Sequence, residues 1–126
     1  MKPDATGRFN GDSASPGQAR AFVRRALAAW HCDDLDDVAS LLTTEVVANA
    51  VRYAADQIAL RVSLEDDVFR VEVHDSNPAL PESRKVTHGA TSGRGLLVVE
   101  SLAQRWGARR EGTGKVVWFE LATPDH

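Results

Sequence analysis

A single cysteine, Cys32, is all the thiol this chain has. One cysteine closes no internal disulfide, so no cross-linked framework holds the fold, and a buried, inert thiol is the expected role. Long apolar runs are missing too. None reaches the roughly 20 residues needed to cross a bilayer, and the opening MKPDATGRFNGD lacks the apolar core of a secretion signal. The expectation is a cytoplasmic protein without a membrane partner. Excess charge is small: a net charge of −3 and a pI near 5.8 give no general electrostatic case for nucleic acid. Metal-ligand spacings are lacking as well. His31 and His88 have no partners at zinc spacing, and neither a P-loop nor a Gly-x-Ser-x-Gly elbow occurs.

What is present is enough apolar material for one core. The 126 residues, 43% hydrophobic and 26% charged, suit one globular domain, expected over residues 7–122 behind a disordered lead-in at 1–6. A short extended piece is expected around Arg8–Asn10. The turn GDSASPGQ then opens a helix with Ala19, Phe22, Val23, Ala26, Leu27 and Trp30 at helical spacing. The acidic CDDLDDVAS charges the start of a second helix, from about Leu35 to Ala55, where carboxylates meet the positive end of the dipole. QIALRVSLED and VFRVEVHD alternate as strands around a tight EDD turn. A polar loop, SNPALPESRKVTHGATSG, has the length that usually means function. GRGLLVVESLAQRWG opens a third helix with Leu96, Val99, Leu102 and Ala103 inward, and RWGARREG with GKVVWFELA forms a last hairpin. The fold class that follows is a two-layer α/β (α+β) sandwich. Its sheet is mixed and mainly antiparallel, with three helices on one face.

Three stretches carry chemistry. In LLTTEVVANAVRYA, Glu45 and Asn49 lie four residues apart, a rotation of about 40° on a helix, so both project from one stripe. A carboxylate on so apolar a helix is costly unless paired; the plain structural reading pairs it with Arg52 and satisfies the amide on a neighbouring carbonyl. In VEVHDSNP, Asp75 ends a strand and opens the long loop, where an acid can accept a hydrogen bond from a ligand's amine; Asp-Ser-Asn-Pro is also a strong turn former. In TSGRGLLVVE, Gly93 and Gly95 flank Arg94 at a helix start, an arrangement that lets backbone N–H groups approach a phosphate. Trp30, Trp106 and Trp118 read as core, and His74 as the outer face of an edge strand.

In that order the three stretches resemble the Bergerat-fold (GHKL) ATPase superfamily. The resemblance is nearest to its small single-domain branch, the anti-sigma-factor serine kinases of bacteria. EVVANA is similar to the E-x-x-x-N-A motif, SGRGLLVVE to the G-x-G-L box and GTGK to the final motif stretch, together covering roughly residues 8–121. The resemblance implies ATP and Mg²⁺ as cofactors, with Asn49 as the magnesium ligand and Glu45 as general base. Asp75 and Asn77 would lie at the base, residues 79–92 would form a lid, and Gly93, Arg94, Gly95, Leu96 and Thr113 would complete the nucleotide site. One box departs from the pattern: DSNPA places Asn77 and Ala79 where D-x-G-x-G has glycines.

Two functions stand from this reading. One is a serine/threonine protein kinase that holds a sigma factor and phosphorylates an anti-sigma-factor antagonist. The other is a nucleotide-gated interaction module with little or no kinase activity; an adaptor that binds no nucleotide would follow if the altered box closes the site. The resemblance also implies a homodimer, for which the apolar region around Phe9 and Phe22 could serve.

Overall fold

The computed structural model describes residues 3–52, 56–76 and 98–123. Five strands form one sheet: β1 (Asp4–Asn10), β2 (Gln57–Glu65), β3 (Val68–Asp75), β4 (Arg105–Glu111) and β5 (Gly114–Ala122). Their order is β1-β2-β3-β5-β4, and every neighbouring pair among the described residues is antiparallel. Two long helices, α1 (Ser15–Ala29) and α2 (Asp36–Arg52), separate β1 from β2, and a short helical stretch at 98–102 precedes β4.

β1 begins at Asp4, paired with Ser63, so part of the expected lead-in belongs to the sheet. Burial alternates along it, but the pattern is faint in the sequence because Ala5 and Gly7 supply little apolar bulk beside Phe9 on the inward side. The expected third helix does not extend to Gly107; β4 takes over at Arg105, where Trp106 pairs with Phe119 and Ala108 with Val117. Leu102, expected inside, is exposed.

Local chemistry explains the joints. Pro16 lies in the first turn of α1, where its missing N–H is not needed. The helix ends in a Schellman turn: His31 takes φ 59°, its N–H donates to the Ala28 carbonyl, and the Cys32 N–H donates to that of Leu27. A histidine occupies the left-handed position that glycine more often fills. Asp66 and Asp67 both take positive φ (53° and 63°), the pattern of a type I′ turn between β2 and β3, as the EDD stretch leads one to expect. In the β4–β5 hairpin only Gly112 does so, matching type II′.

The core lies between the helices and one face of the sheet. Val23 and Leu27 of α1 and Leu42, Val46 and Val47 of α2 are buried with Leu60, Val62, Phe69, Val71, Val73, Phe119 and Leu121. Cys32 joins them; burial pushes its thiol pKa up, and the charges of Asp33, Asp34 and Asp67 add to the rise. Phe9 and Phe22, the expected dimer contacts, stack edge to face on each other within the chain, 6.0 Å between centroids.

The other face of the sheet is polar. His74 points outward as expected, but β3 is the central strand and not an edge. Trp118 is no core residue. It lies on this outer face with the Arg70 guanidinium 4.2 Å from its ring centroid and Gly107 pressed beneath it. Arg70 bridges Glu72 (2.9 Å) and Glu120 (2.8 Å), while His74 Nε2 lies 3.0 Å from Glu72.

Candidate functional site

α2 packs one side on the sheet through Ala39, Leu42, Thr43, Val46, Val47 and Ala50, all buried. Leu41, Glu45 and Asn49 follow one another at four-residue spacing on a less buried stripe; Leu41 is 43% exposed. The Glu45–Arg52 pair does not form, and Glu45 has no hydrogen bond or ion pair to any described residue. The amide oxygen of Asn49 is buried and, among the described residues, accepts no hydrogen bond. Such an orphan is uncommon in a native interior and points to an absent partner. Among the described residues, Thr43 Oγ1 is a second buried side-chain oxygen in this state.

The chain folds so that the C-terminal end of α2 reaches the end of the sheet where β3 stops. Four residues after Arg52, the Asp56 N–H donates to Ser76 Oγ at 3.0 Å. Gln57 then starts β2, and Ile58 faces Asp75 across the ladder. Asn49, one turn from the end of α2, and Asp75 therefore belong to the same end of the sandwich. Asp75 shares its parity with Val71 and Val73, so its side chain enters the helix-facing layer and is 2% exposed.

A buried carboxylate needs a partner. Sequence reasoning gave Asp75 a ligand's amine and missed the residue that meets it: Lys115. In β5 the two stand opposite each other in register. Lys115 Nζ donates to Asp75 Oδ1 at 3.1 Å and lies 2.9 Å from Oδ2, with its side chain only 8% exposed. The signal was available in GKVVWFELA, where a lysine has the same parity as Val117, Phe119 and Leu121, all facing the core. Gly114 makes the approach possible, since a Cβ there would fall inside the contact distance of the Asp75 carbonyl oxygen.

Thr113 is exposed at the tip of the β4–β5 turn and is not drawn into the buried cluster. Asn77, Gly93, Arg94, Gly95 and Leu96, with the lid expected at 79–92, lie outside the described residues. No group of three metal-ligating side chains occurs among the described residues. An open hollow of about 390 Å³ lies on the outer face instead, lined by Arg61, Arg70, Glu72, Arg105 and Glu120 among others. Those residues are largely paired with one another.

The acid-and-amide helix, the acid at the end of β3 and the layered sheet have a counterpart among known families. The model of the histidine kinase-like ATPase domain matches residues 9–121. The chain belongs to this family. As a histidine kinase-like ATPase domain it also has solved structural relatives. The RsbU and RsbW domains of Rv1364c from Mycobacterium tuberculosis superpose with a TM-score of 0.74 at 18% identity, over 96% of this chain and 32% of that one. The histidine kinase domain of the blue-light activated kinase EL346 from Erythrobacter litoralis gives a TM-score of 0.54 at 25% identity, over 72% of this chain and 46% of that one. The chain thus spans about a third of the first and under half of the second. No curated protein matches it. No described helix is long and apolar enough to cross a membrane.

The residues present fit the family's cofactor. Mg²⁺ takes oxygen ligands and keeps several waters, and a neutral amide oxygen with no partner among the described residues is a suitable donor. Asn49 would hold the ion, and the bound ion would neutralise charge on nucleotide phosphates.

Proposed function

We propose that this domain binds ATP with Mg²⁺ and acts as a serine/threonine protein kinase that regulates a sigma factor by phosphorylating an anti-sigma-factor antagonist. The observation that carries the reading is the stripe of α2: Asn49 with an orphaned, buried amide oxygen, and Glu45 one turn earlier with no partner among the described residues. Asn49 would bind the ion. Glu45 would accept the proton of the acceptor hydroxyl, a role that needs a carboxylate within hydrogen-bond reach and not already engaged. Catalysis would rest on positioning and charge. A phosphate placed on the antagonist would separate it from this domain by introducing charge at their contact. The motifs EVVANA and SGRGLLVVE support the nucleotide site, while the partners are carried over from the resemblance to the anti-sigma-factor serine kinases.

Calorimetry with ATP, with and without Mg²⁺, tests the first half. Asn49→Ala should remove magnesium-dependent binding; binding indifferent to both the ion and this substitution would sink the reading. Phosphotransfer to candidate antagonists tests the second half. Glu45→Ala should leave ATP binding intact and lower transfer by about a hundredfold or more.

The ion pair on Asp75 favours a second reading, a nucleotide-gated interaction module with little kinase activity. An acid already held by an internal ammonium suits an ATP sensor of modest affinity. In that case Asn49→Ala abolishes the effect of ATP on partner binding, while Glu45→Ala changes little.

A further inference from the structure

The kinase reading gives Lys115 no role. A lysine on the core-facing side of β5 is an expensive choice, because the ammonium must leave water and is repaid only by the contacts it makes there. Here it makes them with both oxygens of one carboxylate, at 3.1 and 2.9 Å. Gly114 lets the two strands close upon the pair. The side chains are 8% and 2% exposed, and they belong to the end of the sandwich that also holds the orphaned Asn49 oxygen.

We propose that Lys115 is a specificity-determining residue of the nucleobase subsite, making it accept a carbonyl as readily as an amine. The inference rests on the ATP-binding reading and adds a substrate class to it: 6-oxo purine nucleotides bind beside 6-amino ones. A bare buried carboxylate offers only acceptors. It takes an exocyclic amine and repels a carbonyl, whose oxygen would face it lone pair to lone pair. An ammonium lying against both oxygens changes that edge to an acceptor beside a donor. An amine is received by Asp75. A carbonyl is received by Lys115, which turns one N–H from the carboxylate to the incoming oxygen. The same ammonium competes with the amine for Asp75, so it weakens ATP while admitting the oxo base.

The test is calorimetry of ATP and inosine triphosphate, both with Mg²⁺, against wild type, Lys115→Ala and Lys115→Gln. Lys115→Ala opens space for water at Asp75; Lys115→Gln keeps most of the side chain, one bond shorter, without the charge and guards against a folding failure in the first variant. In wild type the two triphosphates should bind within about threefold of each other. Removing the charge should tighten ATP and weaken inosine triphosphate, raising the preference for ATP by about tenfold or more, the scale of a hydrogen bond to a charged group. Damage to the fold would weaken both ligands together and leave the ratio unmoved. An unchanged ratio in both variants, with Asn49-dependent ATP binding intact, overturns the role given to Lys115 and leaves the ATP reading standing. If no protein in the set binds either triphosphate, the ATP reading fails and this inference with it.

Discussion

Asp75 and Lys115 also make a sharp claim about stability. Both side chains are almost wholly buried, and the ammonium lies within 3.1 Å of each carboxylate oxygen. Removing one partner takes the ion pair from the other charge in a layer it shares with Val73 and Val117. Breaking such a pair typically costs about 3–5 kcal/mol, against a total stability of roughly 5–15 kcal/mol for a native domain. At a few degrees per kcal/mol for a chain of this size, Lys115→Met should lower the melting temperature by about 10–20 °C, and Asp75→Asn by a similar amount. The double variant Asp75→Asn/Lys115→Met removes both charges while keeping side-chain volume. It should therefore recover most of the loss, with a coupling energy of about 2 kcal/mol or more. Urea unfolding followed by far-ultraviolet circular dichroism, extrapolated linearly to water, gives all four free energies. If the double variant loses the sum of the two single losses, or if either single variant loses less than about 1 kcal/mol, the pair is not the buried, coupled unit described above.

Two further outcomes follow from the outer face of the sheet. Burial pushes the Glu72 carboxyl up, but hydrogen bonds and charge from Arg70 and His74 outweigh this and hold it below its ordinary value of 4.5. A depressed acid stabilises the fold above its unfolded pKa and loses that contribution as the pH falls through the folded value. Wild type should accordingly lose stability more steeply than Glu72→Gln below about pH 4.5 in urea titrations, and equal slopes would count against the network. Gly107→Ala would place a Cβ 2.7 Å from the Trp118 ring, so the indole must shift off its seat. The expected cost is about 1–3 kcal/mol, with a change in tryptophan emission; a neutral substitution with unchanged emission would contradict the packing.

Much of this fold was legible because its signals are local. Alternation in β2, β3 and β5 and the run of Ala19, Val23 and Leu27 in α1 each state which side of an element meets the core. The EDD turn was legible for the same reason, since two aspartates in succession tolerate positive φ. β1 was harder to read: Asp4–Gly7 becomes a strand only by pairing with β2, which follows two helices later. Trp118 was misplaced because an indole is apolar enough to suggest the core, while its cover of arginine comes from β3 and β4. At the site, Glu45 and Asn49 were evident from their spacing on one helix. The Asp75–Lys115 contact spans forty residues of sequence, and no local pattern ties an acid at one strand's end to a lysine at another's start.

The face of the sheet turned away from the helices has a bearing on assembly. Arg70, Glu72, His74 and Glu120 satisfy one another in the plane of the strands, and Trp118 lies beneath arginine rather than open to a neighbour. Any protein that settled on this side would have to strip water from a set of already matched charges, and would recover that loss only by offering matched polar groups of its own. A flat greasy surface is thereby refused. The arrangement acts as a filter on companionship: it keeps this face of the sheet from joining another indiscriminately and leaves admission to a partner of complementary polarity.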